Sequence, residues 1–160
     1  VAERSLIGHY LQMYDWDACF FSQAEPYFGL SDLAKDIVSN FLSLKQTDGY
    51  IPRTISPQRI WDGADLCKPF LCQALLKEYR DNGFKQQVAA AVIDDLDSYL
   101  RYFEDNRRHG SGLYHWRNML ESGVDNSLAL IFPFEASKDE NEEFGVFPDG
   151  RISAVEISSY

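Results

Sequence analysis

What is scarce in this 160-residue sequence narrows its function before any motif is read. Basic residues are few: 15 Lys and Arg stand against 25 Asp and Glu, a net charge of −10. That balance argues against a nucleic-acid partner, whose phosphates require clustered Lys and Arg, and against an anionic membrane surface. No apolar run approaches the ~20 residues needed to span a bilayer. Val1-Ala2-Glu3-Arg4-Ser5 leads into no apolar stretch of the kind that marks a secretory signal. The three cysteines, Cys19, Cys67 and Cys72, form no CxxC pair and no zinc spacing. Their odd number and apolar surroundings suggest reduced, buried thiols, hence a reducing, cytoplasmic compartment. Histidines are three and scattered (His9, His109, His115). There is no P-loop, no GxGxxG and no Ser/His/Asp nucleophile set, so neither cofactor nor metal is expected.

Sustained period-two alternation is also missing, apart from a short β-like stretch at Arg151 to Ile157. What is present is 45% hydrophobic and 14% aromatic residues, a globular composition, and helical spacing. A first helix is expected from Asp15 or Trp16 to Glu25-Pro26 or on to Phe28-Gly29, with Trp16, Phe20 and Phe21 in the core. Ser31 reads as the N-cap of a second, Asp32 to Gln46, with Leu33, Ile37, Val38, Phe41 and Leu44 on one face; Thr47-Asp48-Gly49 stops it. A third starts at Lys68-Pro69 and runs to Tyr79. The longest pattern, Phe84 to Asn106, carries Val88, Ala91, Val92, Leu96, Tyr99, Leu100 and Phe103 as one stripe. Residues 133 to 151 form an acidic loop; its run of Asp139, Glu140, Glu142 and Glu143 reads as solvated rather than metal-binding. The fold class is all-α.

One stretch organises the rest: Glu121-Ser122-Gly123-Val124-Asp125-Asn126-Ser127, flanked by Tyr114, His115, Trp116, Phe132 and Phe134. Acids beside apolar rings lose water, which disfavours the carboxylate and lets an acid hold a donatable proton near neutral pH. Gly123 permits a sharp turn or a close approach to a ligand. The same residues also suit a polar turn with Asp125 or Asn126 capping the next helix.

The stretch resembles the signature of glycoside hydrolase family 63 and its relatives: mannosylglycerate and glucosylglycerate hydrolases, processing α-glucosidases and, more distantly, the trehalases of family 37. Tyr14, Trp16 and Asp17 resemble the residues that line the family's sugar subsite, where an aromatic face stacks on the ring and a carboxylate accepts hydroxyl hydrogen bonds. Asp48-Gly49-Tyr50-Ile51-Pro52 is similar to a loop at the barrel mouth, which makes Arg53 either a substrate contact or a surface arginine. Trp61-Asp62 suits the same mouth. Trp116 is either a sugar platform or a core aromatic. Glu121 and Gly123 are carried over with the motif, and Arg117 is expected to pair with Glu121. Where the family has Ser-Gln-Pro-Pro, this chain has Leu66-Cys67-Lys68-Pro69, a departure that touches substrate identity.

The resemblance implies that residues 1–160 are the N-terminal part of an (α/α)6 toroid of the six-hairpin glycosidase type, truncated at the C-terminus. It also implies a carbohydrate substrate cleaved at an α-glycosidic bond with inversion. Asp125 is then the general acid. The general base, a Glu far downstream in the family, has no counterpart here, so the remainder of the same catalytic domain is an expected partner. Two other readings stand beside it. One is a non-catalytic carbohydrate-binding or interaction fragment with an aromatic-lined cleft. The other is a toroidal lyase or epimerase, which the scattered histidines fit poorly.

Overall fold

Helical periodicity becomes packed helices in the structure, a computed structural model that describes residues 12–56, 65–81, 86–108, 112, 114–117, 119–123 and 152–153. Helix α1 spans Asp15–Ala24 and continues as a 3₁₀ turn at Glu25–Phe28. Helices α2 (Ser31–Leu42), α3 (Phe70–Asp81) and α4 (Gln86–Arg107) follow, with a single turn, α5, at Met119–Ser122. Strand β1 (Met13–Tyr14) pairs antiparallel with β2 (Thr54–Ile55), placing Tyr14 opposite Thr54. Strand β3 (His115–Trp116) pairs in the same sense with β4 (Ile152–Ser153), inside the stretch the sequence marks as β-like. With so little sheet the fold is all-α.

The core lies where α1 packs on α2 and α3. Helix α2 buries Ala34, Ile37, Val38, Phe41 and Leu42, a stripe repeating every three to four residues. Helix α3 contributes Leu71, Ala74 and Leu75, and α4 contributes Leu96, Tyr99 and Phe103. Tyr99 and Phe103 meet edge to face at 5.2 Å, and Tyr99 donates its hydroxyl to the Cys67 carbonyl at 2.6 Å. Gly49 ends the α2 connection with φ +95°, and a Cβ there would lie 2.1 Å from the Ser98 carbonyl oxygen. Only glycine lets this turn rest on α4.

Three local expectations are corrected. Phe20 and Phe21 are not core: they are 51% and 64% exposed. At about 100° per residue, the inward face of α1 falls on Asp15, Ala18, Cys19 and Ser22 instead. Those small side chains allow close helix approach, and Phe20 turns outward against Phe70, ring centres 5.0 Å apart. Ser31 is the first helical residue rather than the cap; Leu30 takes the cap position without a side-chain bond. Helix α2 then ends at Leu42, leaving Leu44 beyond it and Leu33 on its exposed side. Phe84, Trp61-Asp62 and the acidic loop at 133 to 151 lie outside the described residues.

The three thiols are free, with Cys19 and Cys67 buried and Cys72 half-buried. Loss of water pushes the Cys19 thiol up from its ordinary 9.0 to about 12, with the nearby Asp15 charge adding to it. Burial likewise pushes Cys72 to about 11 and Cys67 well above 9.0. Above pH 9 the unfolded chain sheds thiol protons that the folded chain keeps, so it binds fewer protons and stability falls as pH rises. Each such group contributes at most about 1.4 kcal/mol per pH unit. Lys68, whose ordinary value of 10.5 is lowered by burial, works in the opposite direction but is one group against three. The urea midpoint is therefore expected to decline steadily from pH 8.5 to pH 11 while the native thiols resist alkylation. A flat midpoint over that range contradicts this account.

Candidate functional site

The site is built on the first residue of α1. Tyr14 takes the N-cap position in extended conformation without a side-chain capping bond, and Asp15 and Asp17 supply the negative charge that favours a helix N-terminus. The β1–β2 pairing brings Arg53 alongside, and the Asp15 N–H donates to the Arg53 carbonyl at 3.0 Å. The Tyr50-to-Arg53 segment runs beside Asp65 to Cys67: Arg53 N–H donates to the Asp65 carbonyl and Cys67 N–H to the Ile51 carbonyl, both at 2.9 Å. This delivers Lys68 to the same point.

The Asp15 carboxylate is fully buried and gathers these partners. It accepts the Lys68 backbone N–H at 2.7 Å and the Lys68 ammonium at 3.2 and 3.3 Å, and the Arg53 Nε lies 3.9 Å away. Lys68 is itself 1% exposed. Loss of water, opposed by Asp15 and assisted by Arg53, lowers its pKa. The ammonium lies 4.8 Å from the ring centre of Trp16 and 5.8 Å from that of Trp116. Gly123 closes over the group. Its φ is +68°, and a Cβ on it would stand 3.0 Å from Arg53 Nη2, 3.1 Å from Lys68 Nζ and 3.3 Å from Trp16 Cζ2. Both the turn and the close approach call for glycine.

A cavity of about 650 Å³ opens on this assembly, within the ~300–1,000 Å³ typical of small-molecule sites. Tyr14, Trp16, Asp17, Arg53 and Gly123 all line it, and Phe21, Glu25 and Ile37 extend it along α1. Five residues singled out from the sequence thus share one wall system. Its chemistry is a half-buried indole, a phenol, a carboxylate and a guanidinium around an apolar floor. Such a set suits a neutral, hydroxyl-rich ring.

Trp116 and Glu121 stand behind that wall. Trp116 is 1% exposed and packs in the core. Glu121 is fully buried: its Oε1 accepts the Leu66 N–H at 2.8 Å and the Arg107 guanidinium at 2.7 Å, and its Oε2 accepts the Arg117 N–H. Glu121 pairs with Arg107, whose guanidinium the end of α4 delivers, and it also accepts the backbone N–H of Arg117. Glu121 thereby holds Leu66, two residues before Lys68. Cys67, at the position where the family pattern has glutamine, is buried in the core. Asp125 lies outside the described residues. Among those described, no cluster of three His, Cys, Asp or Glu side chains is arranged to hold a metal, and no helix is long and apolar enough to cross a membrane.

Lys68 is the residue that sequence reasoning passed over as a mere departure from a motif. Its signal was available: a lysine set in Leu66-Cys67-Lys68-Pro69-Phe70-Leu71 is bound for the interior, and a buried ammonium demands a carboxylate.

A family description, the mannosylglycerate hydrolase MGH1-like glycoside hydrolase domain, matches residues 10–155. No curated protein and no solved structure matches the chain.

Breaking a buried ion pair from one side strands the other charge, at a cost of about 3–5 kcal/mol, whereas removing both charges together is far milder. Lys68→Met and Asp15→Asn are each expected to lower the urea midpoint sharply, and the double variant to recover most of that loss. Losses that simply add, within about 0.5 kcal/mol, contradict an energetic coupling between the two.

Proposed function

The chain belongs to the mannosylglycerate hydrolase MGH1-like glycoside hydrolase domain family, and from that premise we propose a specific reaction for its site. It is a glycosidase domain acting on a carbohydrate. The reaction we propose is inverting hydrolysis of an α-glucoside or α-mannoside carried by a small aglycone or oligosaccharide. The supporting observation is that Tyr14, Trp16, Asp17, Arg53 and Gly123 line one cavity, with Gly123 two positions before Asp125 in the chain.

In this reading the sugar ring stacks on Trp16, while Asp17 accepts its hydroxyl protons and Arg53 donates to its oxygens. Asp125 carries the proton to the leaving oxygen. A second carboxylate on the opposite face takes a proton from the attacking water, and inverting pairs stand ~6.5–9.5 Å apart to admit that water. None of the acids in 1–160 corresponds to that base. It belongs to another part of an (α/α)6 toroid whose first helices are those described here. The acid is uncharged before the step and the base is charged, so turnover is expected to follow a bell-shaped pH profile.

In the full natural polypeptide, Asp125→Asn is expected to lower kcat by ~10²–10⁴, about 3–5 kcal/mol of barrier, on α-glucosides and α-mannosides. NMR of the first product formed is expected to show the β-anomer. A variant that turns over at the wild-type rate removes Asp125 from the role, and an α-anomer removes inversion.

A further inference from the structure

The ammonium of Lys68 lies against two residues of the cavity wall, Trp16 and Gly123. A buried ion pair is weak evidence of stability, since apolar residues of similar volume serve as well or better. Its contact set is therefore informative. Lys68 Nζ sits under the ring of Trp16 at 4.8 Å and beneath Gly123, and it bonds the carboxylate of Asp15, the neighbour of Trp16. Trp16 and Gly123 both line the cavity, and they come from segments more than a hundred residues apart in the chain. The Lys68 ammonium meets both, and Arg53 Nη2 stands beside it at Gly123.

We propose that Lys68 is a positioning residue: its ammonium holds the Trp16 ring and the Gly123 turn against the start of α1, and so sets the shape in which the cavity takes a sugar. The proposal rests on the reading of this cavity as the sugar site. Trp16 has a charge behind one face, which leaves the other to a ligand, and cation–π attraction of this kind strengthens once water is excluded. A neutral amine in the same place keeps its volume but loses that attraction and the ion pair. Sugar binding then has an alkaline limit set by the Lys68 proton, and burial moves that limit below the range of an ordinary lysine.

The charged and titratable groups that act on Lys68 are Asp15, Arg53, Cys19 and Cys67, and the Lys68→Arg variant separates its signal from that of the Tyr14 phenol on the same cavity wall. Asp15 is its ion-pair partner, and Arg53 is the neighbouring cation. The nearby thiols of Cys19 and Cys67 are held above their ordinary range by burial and stay neutral where Lys68 titrates. Arginine at position 68 keeps the cation without the titration.

The test uses the full natural polypeptide, with methyl α-D-glucopyranoside and methyl α-D-mannopyranoside as probes in binding calorimetry. The Asp15→Asn/Lys68→Met double variant, once its urea midpoint shows it folded, is expected to bind the preferred probe at least about tenfold more weakly. Lys68→Arg is expected to bind within about threefold of wild type at pH 7 and to lose the alkaline limit. Wild-type binding by the folded double variant overturns the proposal, as does an alkaline limit shared by wild type and Lys68→Arg. A second, ligand-free arm follows tryptophan fluorescence from pH 7 to 11, with the Trp16→Phe spectrum subtracted. The Trp16 signal is expected to titrate in wild type and to stay flat in Lys68→Arg. A flat wild-type signal overturns the positioning role whether or not a sugar binds. A titrating signal without binding of either probe, or binding indifferent to Asp17→Ala, leaves Lys68 its hold on Trp16 and refutes the sugar-site reading instead.

Discussion

A buried carboxylate cannot be left alone, and much of this structure follows from that requirement at Asp15. Taking a charge out of water is costly unless hydrogen bonds and opposite charge replace the solvent. Asp15 meets the requirement with partners from two distant segments: the backbone and ammonium of Lys68, and the guanidinium of Arg53 close by. Satisfying one group therefore draws the start of α1, the Tyr50-to-Arg53 segment and the start of α3 to a common point. The cavity opens beside that point, with Tyr14, Trp16 and Arg53 in its wall.

Glu121 repeats the logic one layer deeper. Its two oxygens take up two backbone N–H groups and the Arg107 guanidinium, tying the end of α4, the Leu66 segment and α5 together. In a glycosidase the acid-bearing segment has to stand in register with the sugar-binding wall to within a fraction of an ångström. Here the two buried acids act on either side of Lys68. Asp15 bonds it directly, and Glu121 secures the residue two positions before it. The Gly123 turn rests against Arg53, Lys68 and Trp16 of this same assembly.

Some features were legible without coordinates because they are local. The apolar stripes of α2 and α4 repeat every three to four residues, and that spacing alone defines a helix face. The run from Glu121 to Ser127 is contiguous, so its resemblance to a glycosidase signature needed no fold, and the family match over residues 10–155 bears that resemblance out. Phe20 and Phe21 misled for an instructive reason. Hydrophobicity says which residues seek the interior, but the angular position on α1 is shared, and the tightest packing went to Ala18, Cys19 and Ser22.

By itself, then, the sequence determined the all-α class, the approximate helix spans and the family, and it singled out five of the residues that line the cavity. Each of these is carried by periodicity or by neighbours in the chain. Only the tertiary structure decided which of those residues share a wall and which stand behind it. Trp16 and Asp17 went to the cavity, Trp116 and Glu121 to the interior, and Lys68 to a place between Trp16 and Trp116. The physical reason is separation. Lys68 is 53 residues from Asp15, and Leu66 is 55 from Glu121. Pairings over such distances are settled by which buried charges find compensation when the helices pack, an outcome that no local pattern encodes.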